Sequence, residues 1–263
     1  MSDAETWRQW RIRRERRLRE PYGTLAVTGT HWLDEEPAPI VEGEPVLWSA
    51  GPEGRTVVVT AKAEHGLFLD GKPIDGTVTL RTDSDEHPDT VAAPGYDIRL
   101  IAIERDGSAA LRVYDANAAT LLAFDGIEAF DYDPGWAVPA TFTPYPGPRL
   151  EKVLNADGVA RGLGLDGTVE FELEDGRHSF AAALKSGGGL WIVFTDPTTA
   201  ESTPFFRFLT TPAPAEDGTL TLDFNRAYLP PCAFTDHFVC PVPPKGNRLD
   251  TPVRAGEVAI KTR

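Results

Sequence analysis

Residues 168–184, TVEFELEDGRHSFAAAL, read as two strands, 168–174 and 177–184, joined at Asp175-Gly176. Asp-Gly supplies the positive φ that tight hairpin turns need, so the stretch predicts an antiparallel hairpin. The dipeptide occurs eight times, at Asp70, Asp75, Asp106, Asp125, Asp157, Asp166, Asp175 and Asp217. Around these turns strand-like runs recur at 23–28, 45–49, 55–62, 66–69, 77–82, 98–104 and 109–114. They continue at 137–143, 150–154, 190–195, 205–210 and 219–224. In the last run Leu220, Leu222 and Phe224 alternate with Thr221 and Asp223, the period of a half-buried strand. Many short strands with turn signals every roughly 8–12 residues predict a mainly β fold, an antiparallel barrel or sandwich rather than a βαβ sheet.

The exception is the N-terminus. Residues 3–20 hold seven arginines and strong helix formers without Gly or Pro, which predicts one α-helix ending at Pro21. Trp7, Trp10, Arg14 and Leu18 share one face. A basic arm for membrane or nucleic acid is the sharper reading of this helix. The preferred one docks it on an acidic body through its tryptophans, with arginine stems covering apolar surface. The expected organisation is therefore a basic helix over 1–21 and a β-rich domain over 22–263. DYDPG at 131–135 marks a seam should that domain form two packed lobes.

With 263 residues and 41% hydrophobic side chains, the chain can bury a large core. Its net charge of −14 repels phosphate backbones, which argues against nucleic acid. No apolar run reaches the length of a spanning helix and no signal-peptide pattern opens the chain, so no membrane and a cytoplasmic location are expected. Familiar chemistry is mostly missing. Gly162-Leu-Gly164-Leu-Asp-Gly167 fits G-x-G-x-x-G but leads into a strand, so no helix N-terminus meets a pyrophosphate. The acidic loop 83–89 lacks EF-hand spacing and reads as solvated. No cofactor and no metal are expected.

The densest chemistry lies at 222–257, LDFNRAYLPPCAFTDHFVCPVPPKGNRLDTPVRAGE. Its prolines cannot donate to a ladder, so side chains such as Asn225, Arg226, Asn247 and Arg248 are the expected backbone partners. Cys232, His237 and Cys240 are one ligand short of a closed zinc site. Three readings compete for the cysteines: buried thiols, a disulfide stabilising a short loop by ~2–3 kcal/mol, and a metal-binding or nucleophilic thiol.

This run resembles the C-terminal signature of a prokaryotic family known as domain of unknown function 1684. The matching residues are Phe224, Asn225, Ala227, Tyr228, Pro230, Pro231, Cys232, Ala233, Phe234, Cys240, Pro241, Pro243, Pro244, Asn247, Leu249, Ala255, Gly256 and Glu257. Leu229 departs from the family's asparagine. A second segment, Phe194, Asp196, Thr198, Thr203, Arg207, Phe208 and Leu209, is also similar, with Ala200 for glycine and Pro204 for tyrosine. Weaker echoes occur at Trp7, Arg14, 23–33 and 112–115. The resemblance implies no established activity.

Acid–base candidates are Asp196, Asp223 and Glu257. Ligand-binding candidates are Arg207, Asn225, Tyr228, Asn247 and Arg248, whose side chains are expected to meet Asp196 and Arg207 in one network. Two classes of function follow: a small-molecule binder, extending to a hydrolase or lyase with a carboxylate base, and a noncatalytic structural or protein-interaction module in which the same polar residues form a sealed knot.

Overall fold

A computed structural model describes residues 2–201 and 206–263; Thr203, Pro204 and Phe205 lie outside the described residues. The chain is mainly β, with antiparallel sheets and an N-terminal helix, α1 (Asp3–Leu18). It divides into a middle unit, Arg17–Ala123, and a terminal unit, Met1–Arg16 with Phe124–Arg263. The 131–135 segment lies within the terminal unit.

The middle unit contains β1 (Val27–Trp32), β2 (Leu47–Ala50), β3 (Thr56–Ala61), β4 (Phe68–Leu69), β5 (Lys72–Pro73), β6 (Gly76–Arg81), β7 (Thr90–Ala93), β8 (Ile98–Arg105) and β9 (Ser108–Asp115), then α2 (Ala119–Ala123). A six-stranded sheet, β1-β9-β8-β7-β4-β5, and a three-stranded one, β2-β3-β6, share a single core. Trp48, Val57, Val59, Leu80, Val91, Leu100, Ala102 and Leu111 fill it. Asp70-Gly71 and Asp106-Gly107 close the β4–β5 and β8–β9 hairpins with positive φ at both residues, the conformation expected of them. The strand expected at 23–28 begins only at Val27, because Thr24–Ala26 form a 3-10 turn.

The terminal unit contains β10 (Phe124–Ala129), β11 (Ala137–Leu154), β12 (Ala160–Leu173), β13 (Gly176–Leu184), β14 (Leu190–Phe194), α3 (Thr198–Glu201), β15 (Arg207–Thr210), β16 (Thr219–Asp223) and β17 (Glu257–Thr262). Six strands pair in the order β15-β14-β13-β12-β11-β16, and β10 pairs with β17. The β12–β13 hairpin turns at Glu174-Asp175, with Leu173 opposite Gly176. The expected strands 137–143 and 150–154 are two halves of β11. Pro144, Pro146 and Pro148 are absorbed where the register against β12 shifts between Pro144 and Arg149. Asp166-Gly167 lies inside β12, opposite Ala182 and Pro144, so it makes no turn. The whole Gly162–Gly167 motif is thus strand.

The core of this unit is aromatic. Phe224 sits 5.7 Å from both Phe171 and Phe194, ring centre to ring centre, and 6.4 Å from Phe180. Leu222 and Phe224 are fully buried while Thr221 is exposed, as the alternation in β16 requires. Burying side chains of this size stabilises by about 1.5–3 kcal/mol each before entropy is charged against it. It fixes the start of the C-terminal run, at the edge strand β16, by anchoring Leu222 and Phe224 in this core.

Candidate functional site

Beyond Phe224 the chain leaves the sheet, and its backbone is tied down by side chains. Asp223 accepts from Asn225 N (3.1 Å), capping the 3-10 turn Phe224–Arg226, and from Arg226 Nε (3.0 Å). Asn225 Nδ2 donates to Asp133 O (2.9 Å) and Asn225 Oδ1 accepts from Asp133 N (3.0 Å). The carbonyl of Asn225 accepts from Trp7 Nε1 at 2.8 Å, which seats α1.

A second tie lies two turns of helix further along α1, at Arg14. Arg14 donates to Glu257 through Nε (2.8 Å) and Nη2 (3.3 Å), and to Leu229 O (2.9 Å). Glu257 also accepts from Leu229 N at 2.7 Å and is 1% exposed. Both hydrogen bonds made at position 229 use its backbone, which explains how leucine, with its side chain buried, serves there. The Arg14 guanidinium lies 4.7 Å from the centre of the Tyr228 ring. Burial raises the Tyr228 pKa, and its hydroxyl is 3.3 Å from Thr210 Oγ1.

The third tie is a fully buried ion pair, with Asp196 and Arg207 both 0% exposed at the side chain. Asp196 Oδ1 accepts from Arg207 Nη2 (2.8 Å). Its Oδ2 accepts from Thr198 N (3.1 Å), Thr198 Oγ1 (2.7 Å) and Val253 N (2.8 Å). Arg207 also donates to the carbonyls of Val253 (3.0 Å) and Ala255. Burial pulls the guanidinium below its ordinary pKa, and the neighbouring Asp196 and Glu257 carboxylates oppose this. Next to it Gly256 adopts φ +82, and a Cβ there would stand 2.5 Å from Ala227 O.

Asn247 replaces missing ladder bonds. Its Oδ1 accepts from Ala181 N (2.7 Å), and its Nδ2 donates to the carbonyls of Ala181 and Val193 (both 2.8 Å). Backbone bonds from Thr195 N to Asn247 O and from Leu249 N to Thr195 O lay the run beside the end of β14. Arg248 stands apart from this network. It is 74% exposed, and Asp250 at 3.8 Å is its ionic neighbour. The expected convergence is therefore distributed: Asn225, Asn247, Glu257 and the Asp196–Arg207 pair make separate buried ties, with Arg248 outside them.

What these ties hold in place is a cleft of about 790 Å³. Phe206, Phe238, Val242 and Leu154 give it an apolar lining, and Cys232, Asn155, Asp236, Lys245 and Arg248 add polar groups. Asn155 is 8% exposed. Its Nδ2 donates to Val239 O (2.9 Å), which fixes the amide orientation, while Oδ1 has no hydrogen-bond partner among the described residues. A buried acceptor without a partner costs about 1–3 kcal/mol, so this atom calls for a donor. No local pattern singles out Asn155, which follows directly on β11 and is brought here by an antiparallel bridge to Pro241. The middle unit has a cavity of its own, about 560 Å³, lined by Trp48, Tyr96, His31 and His65. No sequence candidate falls there.

Cys232 and Cys240 are thiols. Hydrogen bonding from Cys240 lowers the Cys232 pKa, with burial acting in the opposite direction. Among the described residues no helix is long and apolar enough to cross a membrane, and no three His, Cys, Asp or Glu side chains are grouped as metal ligands.

No curated protein matches the chain. A solution NMR structure of an uncharacterized protein of Haloarcula marismortui is 35% identical, covering 51% of this chain and 77% of its own, with a TM-score of 0.44. Residues 122–258, more than half the chain and all of the C-terminal run, match one family, and the chain belongs to it: that described as Protein of unknown function (DUF1684).

Proposed function

We propose that the terminal unit binds a small, largely apolar anion in the cleft beneath the C-terminal run. The observation that carries this is the lining of the cleft, apolar through Leu154, Phe206, Phe238 and Val242 and cationic at Lys245 and Arg248. Lys245 and Arg248 put two cations on that wall against one carboxylate, Asp236. Apolar walls with a few oriented polar groups are the usual make-up of small-molecule sites. Of the ligand-binding candidates, Arg248 retains a binding role, and the others position the run.

Binding has better support than catalysis by a carboxylate base. Asp196 and Glu257 are each ion-paired and accept further hydrogen bonds, and Asp223 caps a turn. A base must be free to take a proton from substrate. The sealed ties also suit a noncatalytic interaction module, which is the reading that follows if the cleft takes no small molecule. A cytoplasmic setting remains part of the proposal, in keeping with unbridged thiols.

The test uses anilinonaphthalene sulfonate, an apolar anion that fluoresces when sheltered from water. One saturable site per native chain is expected, weakened about tenfold or more by Arg248→Glu, since a charge-assisted contact is worth roughly 1.5–3 kcal/mol. Binding that does not saturate, or that is unchanged in Arg248→Glu with Lys245→Glu, would sink the proposal.

A further inference from the structure

The two cysteines were the motif that the binding reading leaves without a role. They stand eight positions apart, and Cys232 N donates to Cys240 Sγ at 3.3 Å, which brings the second sulfur against the backbone of the first residue. The two are mounted differently. Cys240 is buried in a stretch stitched to the end of the β11–β12 hairpin. Ala156 N donates to Cys240 O (2.8 Å), Val242 N to Leu154 O (2.9 Å) and Asn155 Nδ2 to Val239 O (2.9 Å). Cys232 sits in the 3-10 turn Pro231–Ala233, half-buried, and lines the cleft. One sulfur is thus held on a rigid support and the other faces a space that a small molecule can enter.

We propose that Cys232 and Cys240 form a reversible dithiol–disulfide couple on the wall of the cleft, with Cys232 as the attacking thiolate, Cys240 as the resolving thiol and a low-molecular-weight disulfide of the glutathione class as oxidant.

The step balances as two exchanges. Cys232 gives up its proton, and its sulfur attacks one sulfur of the oxidant, forming a mixed disulfide and releasing one thiolate, which takes up that proton. Cys240 Sγ then attacks Cys232 Sγ, expels the second small thiolate, and its proton passes to that leaving group. The two cysteines are oxidised, and one small disulfide is reduced to two thiols. Exchange runs through the thiolate, and the lowered Cys232 pKa places the attacking role on the accessible member of the pair. A disulfide spans about 2.05 Å between sulfurs. With one sulfur already at the other residue's amide, a side-chain rotation and a small shift of the turn are enough, and the hairpin keeps its place. Oxidation ties the 3-10 turn to that hairpin, stiffening the cleft wall. In a reducing compartment such pairs are usually transient and redox-sensing. None of this depends on the anion reading, since the cleft admits the oxidant whether or not it has a ligand of its own.

The experiment exposes native protein to glutathione disulfide at graded ratios to glutathione, quenches with acid, alkylates the remaining thiols and reads intact mass and peptide maps. Wild type should lose both alkylation sites together with no glutathione retained. Cys240→Ser should stop at a glutathione adduct on Cys232. Cys232→Ser should keep Cys240 unmodified while folded. Without any variant, iodoacetamide should label Cys232 at least tenfold faster than Cys240 in the native reduced protein. The proposal fails if wild type remains a dithiol at ratios that oxidise the urea-unfolded chain, or if Cys240 is labelled as fast as Cys232. Because no fluorescent anion is used, failure of the cleft to bind one is read separately.

Discussion

Arg207→Met removes the guanidinium from the buried pair and keeps most of the side chain's length. Asp196 is left 0% exposed, charged, and supported by Thr198 N, Thr198 Oγ1 and Val253 N. The carbonyls of Val253 and Ala255 lose their donor at the same time. Breaking a buried pair by removing one partner costs about 3–5 kcal/mol. Each orphaned carbonyl adds roughly 1 kcal/mol at the lower end of the usual range. A loss on the order of 5–7 kcal/mol is most of what a domain has, since typical totals are about 5–15 kcal/mol. Urea unfolding followed by tryptophan fluorescence should therefore show the terminal unit largely unfolded in dilute urea, with the middle unit's transition retained. Asp196→Asn added to Arg207→Met removes the stranded charge, so the double variant should cost less than the sum, with a coupling of about 0.5–3 kcal/mol. Asp196→Asn with Arg248→Lys should be additive to within about 0.5 kcal/mol, because Arg248 is solvent-exposed and outside the network. A cost under about 1 kcal/mol for Arg207→Met, or additivity with Asp196→Asn, would refute the reasoning.

The remaining expectations concern other ties. Trp7 is buried and bonded to Asn225 O, whereas Trp10 is half-buried under Arg226, so Trp7→Ala should cost about 3–5 kcal/mol in chemical denaturation and Trp10→Ala much less. In the middle unit Arg81 lowers the Asp89 pKa through a two-pronged contact, Nη2 at 2.6 Å and Nε at 3.2 Å. A folded carboxyl pKa below the unfolded one, about 3.9, gives stability that is complete above that value and lost as pH falls through the folded pKa. Asp89→Asn should accordingly flatten the acid limb of a plot of urea midpoint against pH, and an unchanged slope counts against the pairing. Gly256→Ala places a Cβ at positive φ and 2.5 Å from Ala227 O, so a loss of more than about 2 kcal/mol in thermal or urea unfolding is expected. A neutral Gly256→Ala would mean that the turn relaxes freely.

Sequence alone carried the class of the fold. Period-two alternation, repeated Asp-Gly and the Gly- and Pro-free N-terminal segment are local signals of local conformation. They located most strands and α1, because backbone preference acts within a few residues. Among the strands that escaped, β5 and β7 are short, and β10 and β17 exist through pairing with one another across more than a hundred residues. The prolines of β11 read as a break because ladder donors are missing there, and only the neighbouring strand shows how the register absorbs them. The resemblance at the C-terminal run singled out residues without their contacts. Arg14 and Glu257 are 243 positions apart, and Asn155 is turned toward the cleft by a bridge to Pro241; nothing local in the chain encodes either meeting. A propensity is a property of neighbouring residues, whereas a hydrogen-bond partner, a desolvated charge and the volume of a cleft are set by which distant segments pack together, and those only the tertiary structure decides.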